Sequence, residues 1–246
     1  MTVARAVQRH IQELGGAFMF SREVRDFGLT TGVEGFLGPY FRGRCGVLGE
    51  VDADVVASAA GFFPLEVVRA SWESVAMAPD EAAEGYLGAC QAFGRRKLAA
   101  FDQPERLAEL LLAVVRHADP IGAPLFGGWR ALPLDDDPRG RVLHLVHALR
   151  ELRGGLHFLA VKTSGLTALQ AVLIGGSPLN SGPDQARLFG WTEPFEEITD
   201  AHQALWREAE AVTDRLAQQA FDALDKAEGE ELVALLAAAH TAAFTR

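Results

Sequence analysis

The chain has 246 residues, 49% of them hydrophobic and 23% charged, with a formal net charge of −10. This balance excludes a disordered chain, a collagen-like repeat and a small disulfide scaffold, and the length can support one large core or two modest ones. No run approaches the roughly 18 consecutive apolar residues of a membrane span, and MTVARAVQRHIQEL has no apolar signal core, so the expectation is a cytoplasmic protein without a membrane partner.

Helix signals dominate in chain order, and the predicted class is all-α. Val3 to Leu14 reads as an amphipathic helix stopped by Gly15-Gly16. The glycine-rich stretch from Thr31 to Gly49 predicts a short or broken helix. Asp52 reads as the N-cap of a helix from Ala53 to Ala60, and Pro64 suits the first position of the next one, which carries Trp72 as a core residue. Pro79 opens a run to about Ala100, and Gln103-Pro104 begins PERLAELLLAVVRHA, whose Leu107, Leu110, Leu111 and Val114 share one face. The connector 119–141 is dense in proline and glycine. It sets the expected division into an N-terminal helical region, 1–135, and a C-terminal region, 136–246, packed as one unit. Leu125, Phe126 and Trp129 suggest that this connector lies on the body of the protein. Helices are then expected over 141–163, 167–174 and 184–189, with the loop 175–183 before the last of these. A long helix over 199–224 and a final one over 230–244 complete the chain.

The negative charge is uneven. Residues 192–246 hold 12 Asp/Glu against 4 Lys/Arg, whereas residues 1–191 hold 21 against 19. A surface of that sign repels phosphate backbones, and its plain role is that of a solvated helical face. Cys45 and Cys90 stand far apart in sequence, as suits reduced thiols, and neither has a nearby histidine that would make it a nucleophile.

The segment RVLHLVHALRELRGGLHFLAVKTSGL, residues 141–166, is apolar around nearly the whole helical wheel, which predicts burial. Its polar side chains fall on two opposite faces at i, i+3, i+7 spacing. His144, His147 and Glu151 form one group and offer metal-ligating atoms. A helix rises roughly 1.5 Å per residue, however, so His144 and Glu151 are too far apart to share one ion. A hydrogen-bonded His–Glu pair is the simpler reading. Arg150, Arg153 and His157 form the other group and could receive a carboxylate, phosphate or phenolate, or else join a buried ion-pair network. No P-loop, dinucleotide fingerprint, nucleophile elbow or H-E-x-x-H occurs, and no cofactor is implied.

The runs FRGRCGVLGEVDADVV (41–56), GFFPLEVV (61–68), LRELRGGLHFLAV (149–161), FGW (189–191) and AVTDRLA (211–217) together resemble a large actinobacterial family. Its members are mostly uncharacterised and are described as helix-turn-helix-like, with a C-terminal half akin to the MarR winged-helix regulators. The resemblance implies that helix 141–163, the turn at Gly165 and helix 167–174 open a helix-turn-helix, with 184–189 near the recognition element. This chain departs from the pattern after Trp191, where TEPFEEI is too short for a strand–turn–strand wing. With one arginine in GPDQARLFGW and acidic surroundings, the sequence argues against direct contact with nucleic acid.

The leading expectation is therefore a small-molecule-binding helical protein on a degenerate MarR-like scaffold, with its pocket against helix 141–163. Phe36, Tyr40, Phe41, Phe62, Phe63 and Trp129 would wall the pocket, and Arg150, Arg153 and His157 would orient the ligand. The alternatives are an enzyme of specialised metabolism, using His157 or the His144/His147/Glu151 group, and a DNA-binding transcription regulator. The two long C-terminal helices could pack within the chain or across a homodimer.

Overall fold

The computed structural model describes residues 2–177 and 180–245, and every regular element among them is helical. Pro178 and Leu179 of the loop 175–183 lie outside the described residues. Helix α1 (Val3–Ala17) starts at Thr2, whose hydroxyl accepts from the Arg5 N–H, and it buries Ala4, Val7, Ile11 and Leu14 along one stripe. Gly15-Gly16 does not stop this helix as expected. A Cβ on Gly15 would sit 3.1 Å from the Val146 carbonyl oxygen, so the pair serves close helix–helix approach instead. Helix α2 (Arg22–Thr30) has no counterpart in the sequence reading; its signal is Ser21, which caps Val24 N–H.

Helix α3 (Leu37–Cys45) and the 3-10 turn Gly46–Leu48 make up the ordered part of the glycine-rich stretch. Helices α4 (Ala53–Ala60) and α5 (Leu65–Ser74) follow, with Pro64 at the N-cap rather than inside the first turn. Helices α6 (Pro79–Lys97) and α7 (Pro104–His117) each open on proline, which fits a first turn that needs no N–H there. The connector contains a short helix, α8 (Pro124–Trp129), with Leu125, Phe126 and Trp129 buried.

Helix α9 (Pro138–Ser164) is the axis of the molecule. Its 27 residues span about 40 Å at 1.5 Å per residue. Helices α1, α6, α7 and α8 pack around it, as does α12 (Asp200–Phe221). This explains an apolar wheel without a polar side. Side chains such as Val142, Leu143, Leu145, Val146 and Leu149 are all almost fully buried, each worth roughly 1.5–3 kcal/mol of transfer free energy. The main core runs from Ala4 to Ala243 and crosses position 135 without a break.

Gly165, in the left-handed conformation at φ 88°, ends α9. Helices α10 (Ala168–Gly175) and α11 (Gly182–Phe189) follow and pack on each other. Helix α13 (Lys226–Phe244) closes the chain against α1 and α7, and α12 packs on α9 and α1, so both long C-terminal helices make contacts within the chain. A second, smaller core joins the end of α9, α10 and α12 through Ala160, Val161, Leu166, Ala171 and Ala209, with Phe62 packed against it. Residues 192–199 are described and contain no strand, so the short TEPFEEI link carries no wing. Among the described residues no single helix is long and apolar enough to cross a membrane.

Candidate functional site

The polar groups of α9 are engaged by the fold itself. Glu151 is almost fully buried and accepts a two-pronged contact from Arg44 on α3, with Nε and Nη2 at 2.9 and 2.7 Å. Arg150 Nη1 adds a third contact at 3.0 Å. Arg44 also donates to the Tyr40 hydroxyl at 3.0 Å. Burial alone would raise the Glu151 carboxyl, but the Arg44 and Arg150 guanidiniums overcome it and hold the group down at about 2. A buried carboxylate is tolerated here because its charge is matched within hydrogen-bond distance.

His147 and Glu151 do come together, with Nε2 3.7 Å from the carboxylate, while His147 Nδ1 donates to the Gly15 carbonyl at 3.1 Å. Burial pushes His147 down to about 3, so the ring is neutral at pH 7. His144 is directed elsewhere, its Nε2 lying 2.8 Å from the Trp129 carbonyl. Among the described residues no group of three or more His, Cys, Asp or Glu is placed to hold a metal ion. The proposed ligand set fails for two reasons: two arginines take up the carboxylate, and a different carbonyl takes up each imidazole.

The opposite face is likewise bound into the fold. Arg153 reaches Glu210 at 2.8 Å and Asp214 at 3.3 Å on α12. His157 Nδ1 donates to Thr213 Oγ1 at 3.1 Å, and that hydroxyl donates onward to the Ala209 carbonyl. Burial lowers His157 to about 4 despite the nearby Glu210. A cavity of about 20 Å³ beside Arg153 has room for little more than one water. Of the expected pocket walls, Tyr40, Phe41 and Trp129 are core: Phe41 packs on Phe63, and Trp129 donates to the Arg44 carbonyl. Burial pushes the Cys45 thiol up to about 12 and Cys90 well above its ordinary value, so neither is a thiolate nucleophile at neutral pH.

The space that a ligand could enter lies at the C-terminal end of α9. A groove of about 510 Å³ opens there, lined by Phe62, Phe158, Val161, Lys162, Leu166 and Thr167 among others. Phe62 is the only non-glycine residue with positive φ (56°) among the described residues. Its ring meets Phe158 edge-on at 4.8 Å, and its carbonyl accepts the Trp191 indole N–H at 2.9 Å. A Cβ on Gly61 would overlap the Phe158 ring, so glycine is required for this packing. Phe62 was foreseen as a wall; Phe158 and Lys162 were missed. Their signal is an i, i+4 aromatic–lysine pair just before the helix-ending glycine.

Helices α9 and α10 meet at 114° across Gly165, Leu166 and Thr167, within the range of a helix-turn-helix pair. A helix-turn-helix family model matches residues 4–246. The chain belongs to the helix-turn-helix family. No curated protein and no solved structure gives a significant match. In this helix-turn-helix protein, α11, the helix that the sequence resemblance put near a recognition element, presents little positive charge. Its one arginine, Arg187, is held by Asp184 at 2.7 Å and by Glu193 at 2.6 Å. The C-terminal end of α11 is also docked on the N-terminal half, with Phe189 against Phe63 at 3.9 Å between ring centres.

Proposed function

We propose that this helix-turn-helix protein binds a small molecule, on a scaffold of MarR-like ancestry without a wing, and that the ligand seat is the groove at the end of α9. The observation that carries this reading is the groove itself. Its volume of about 510 Å³ is of the size that holds small ligands, and its apolar walls are broken by few polar groups. The reading keeps the pocket against α9 but moves it away from Arg150, Arg153 and His157, which are spent on structural partners. It includes a cytoplasmic location, consistent with the free, buried Cys45 and Cys90. A thermal-shift screen of small acids, amides and amines tests it, with Ser58→Trp, at an exposed position on the groove wall, as the groove-filled control. Hits should stabilise the wild type and lose their effect in the control. Equal shifts in both proteins would place binding elsewhere.

A second reading, a DNA-binding transcription regulator, is favoured by the family match across residues 4–246. Against it stand the net charge of −10 and the neutralised Arg187. If this reading held, retardation of promoter DNA would appear at low salt and fade steeply as salt rises. No retardation is expected at any salt concentration.

A further inference from the structure

The polar groups around the groove fix the chemistry of its guest. Lys162 stands one helical turn beyond Phe158, so its ammonium and the Phe158 ring flank the same opening. It is exposed and forms no ion pair among the described residues. This contrasts with Arg44, Arg96, Arg106, Arg153 and Arg187, each of which holds a carboxylate. Thr167 Oγ1 accepts from the Gln170 N–H, which leaves its own O–H free to donate. Ser58 spends its proton on the Val55 carbonyl. The donors available to a guest from these side chains are thus an ammonium and a hydroxyl beside an aromatic and aliphatic wall.

We infer that the groove takes a small amphipathic carboxylate, its apolar body against Phe62, Phe158 and Leu166 and its carboxylate on Lys162 and Thr167. This inference rests on the ligand-binding reading above. A carboxylate supplies acceptors only, matching both donors, whereas an amide leaves the ammonium with a weaker partner and an amine places like charges together. The volume suits an aromatic or short acyl acid rather than a long-chain lipid.

The four tryptophans make the test direct. Trp191 is hydrogen-bonded to the groove residue Phe62, and Trp206 packs in the small core beside it, while Trp72 and Trp129 belong to the main core. The full chain labelled with 5-fluorotryptophan is titrated by fluorine NMR with 1-naphthylacetate, 1-naphthylacetamide and 1-naphthylmethylamine. The acid should move the Trp191 or Trp206 signal and bind at least about tenfold more tightly than the amide, with the amine weakest. In Lys162→Met the acid should fall to the affinity of the amide, with the Trp72 and Trp129 signals unmoved as proof of an intact fold. An amide or amine that binds wild type as tightly as the acid overturns the carboxylate assignment while leaving the groove as a ligand site. No movement of Trp191 or Trp206 with any of the three probes removes the groove reading as well.

Discussion

At Gly154 an added Cβ would meet nothing within 4 Å, whereas at Gly155 it would fall 2.6 Å from the Ala123 Cα and 2.8 Å from the Gly122 carbonyl oxygen. Both residues lie inside α9, where glycine costs roughly 1 kcal/mol relative to alanine. Gly154→Ala should therefore raise stability by about 0.5–1 kcal/mol. Gly155→Ala should lower it by about 1–3 kcal/mol, because the connector backbone must move away. Urea denaturation of the two variants checks both signs at once, and the same sign for both would contradict the packing. The Arg44–Glu151 contact follows a related logic. Arg44→Ala strands a buried carboxylate and should cost about 3–5 kcal/mol, while Arg44→Met with Glu151→Leu should recover much of that loss. The sequence offered Glu151 only its neighbours on α9, because its main partner lies 107 residues away on another helix. Such a pair is set by tertiary packing and leaves no periodic trace.

Helices were legible where their chemistry is local. Asp52 at the N-cap of α4, the proline openings of α6 and α7 and the all-round apolar wheel of α9 are written in residues a few positions apart. Three elements escaped that logic. The chain pattern gives no sign of α2, whose only marked signal is Ser21, or of α8 inside the proline-rich connector. It also ends α1 early, because a Gly-Gly pair reads as a stop unless a second helix is known to press against it. The groove was half visible: the aromatic pattern marks Phe62 as a wall, but nothing local brings Phe158 and Lys162, nearly a hundred residues downstream, to the same opening. At this scale α10 is a short helix that leans on its cap. Thr167 and Gln170 form a reciprocal capping box, and the helix rests on the small second core. Thr167→Ala should cost about 1 kcal/mol. Hydrogen exchange should speed up across residues 168–175 while the amides of α7 and the middle of α9 stay protected. Uniform acceleration through the chain would instead show that the small core does not open independently.

Across the whole molecule, the buried histidines set the response to acid. Burial lowers His144 below its ordinary value, His157 to about 4 and His147 to about 3. In the unfolded chain each imidazole returns to an ordinary value of roughly 6.5. Between these limits the unfolded state binds protons that the folded state refuses. The stability contributed by neutral burial is thus complete above about pH 6.5 and drains away as pH falls toward the folded values. Each histidine adds a slope of up to about 1.4 kcal/mol per pH unit within its window. Glu151, held at about 2 by its arginines, extends the decline from its ordinary 4.5 to lower pH. Urea midpoints should therefore fall steadily from pH 7 to pH 4, beginning before most carboxylates titrate. Calorimetry at pH 5.5 in buffers of different ionisation enthalpy should show proton uptake on unfolding, close to one for each neutral buried histidine. A midpoint that stays level between pH 7 and pH 5 would mean that these imidazoles are already charged in the fold. The second N–H of each ring would then need an acceptor beyond the Trp129 carbonyl and the Thr213 hydroxyl, and His144 Nδ1 has none among the described residues.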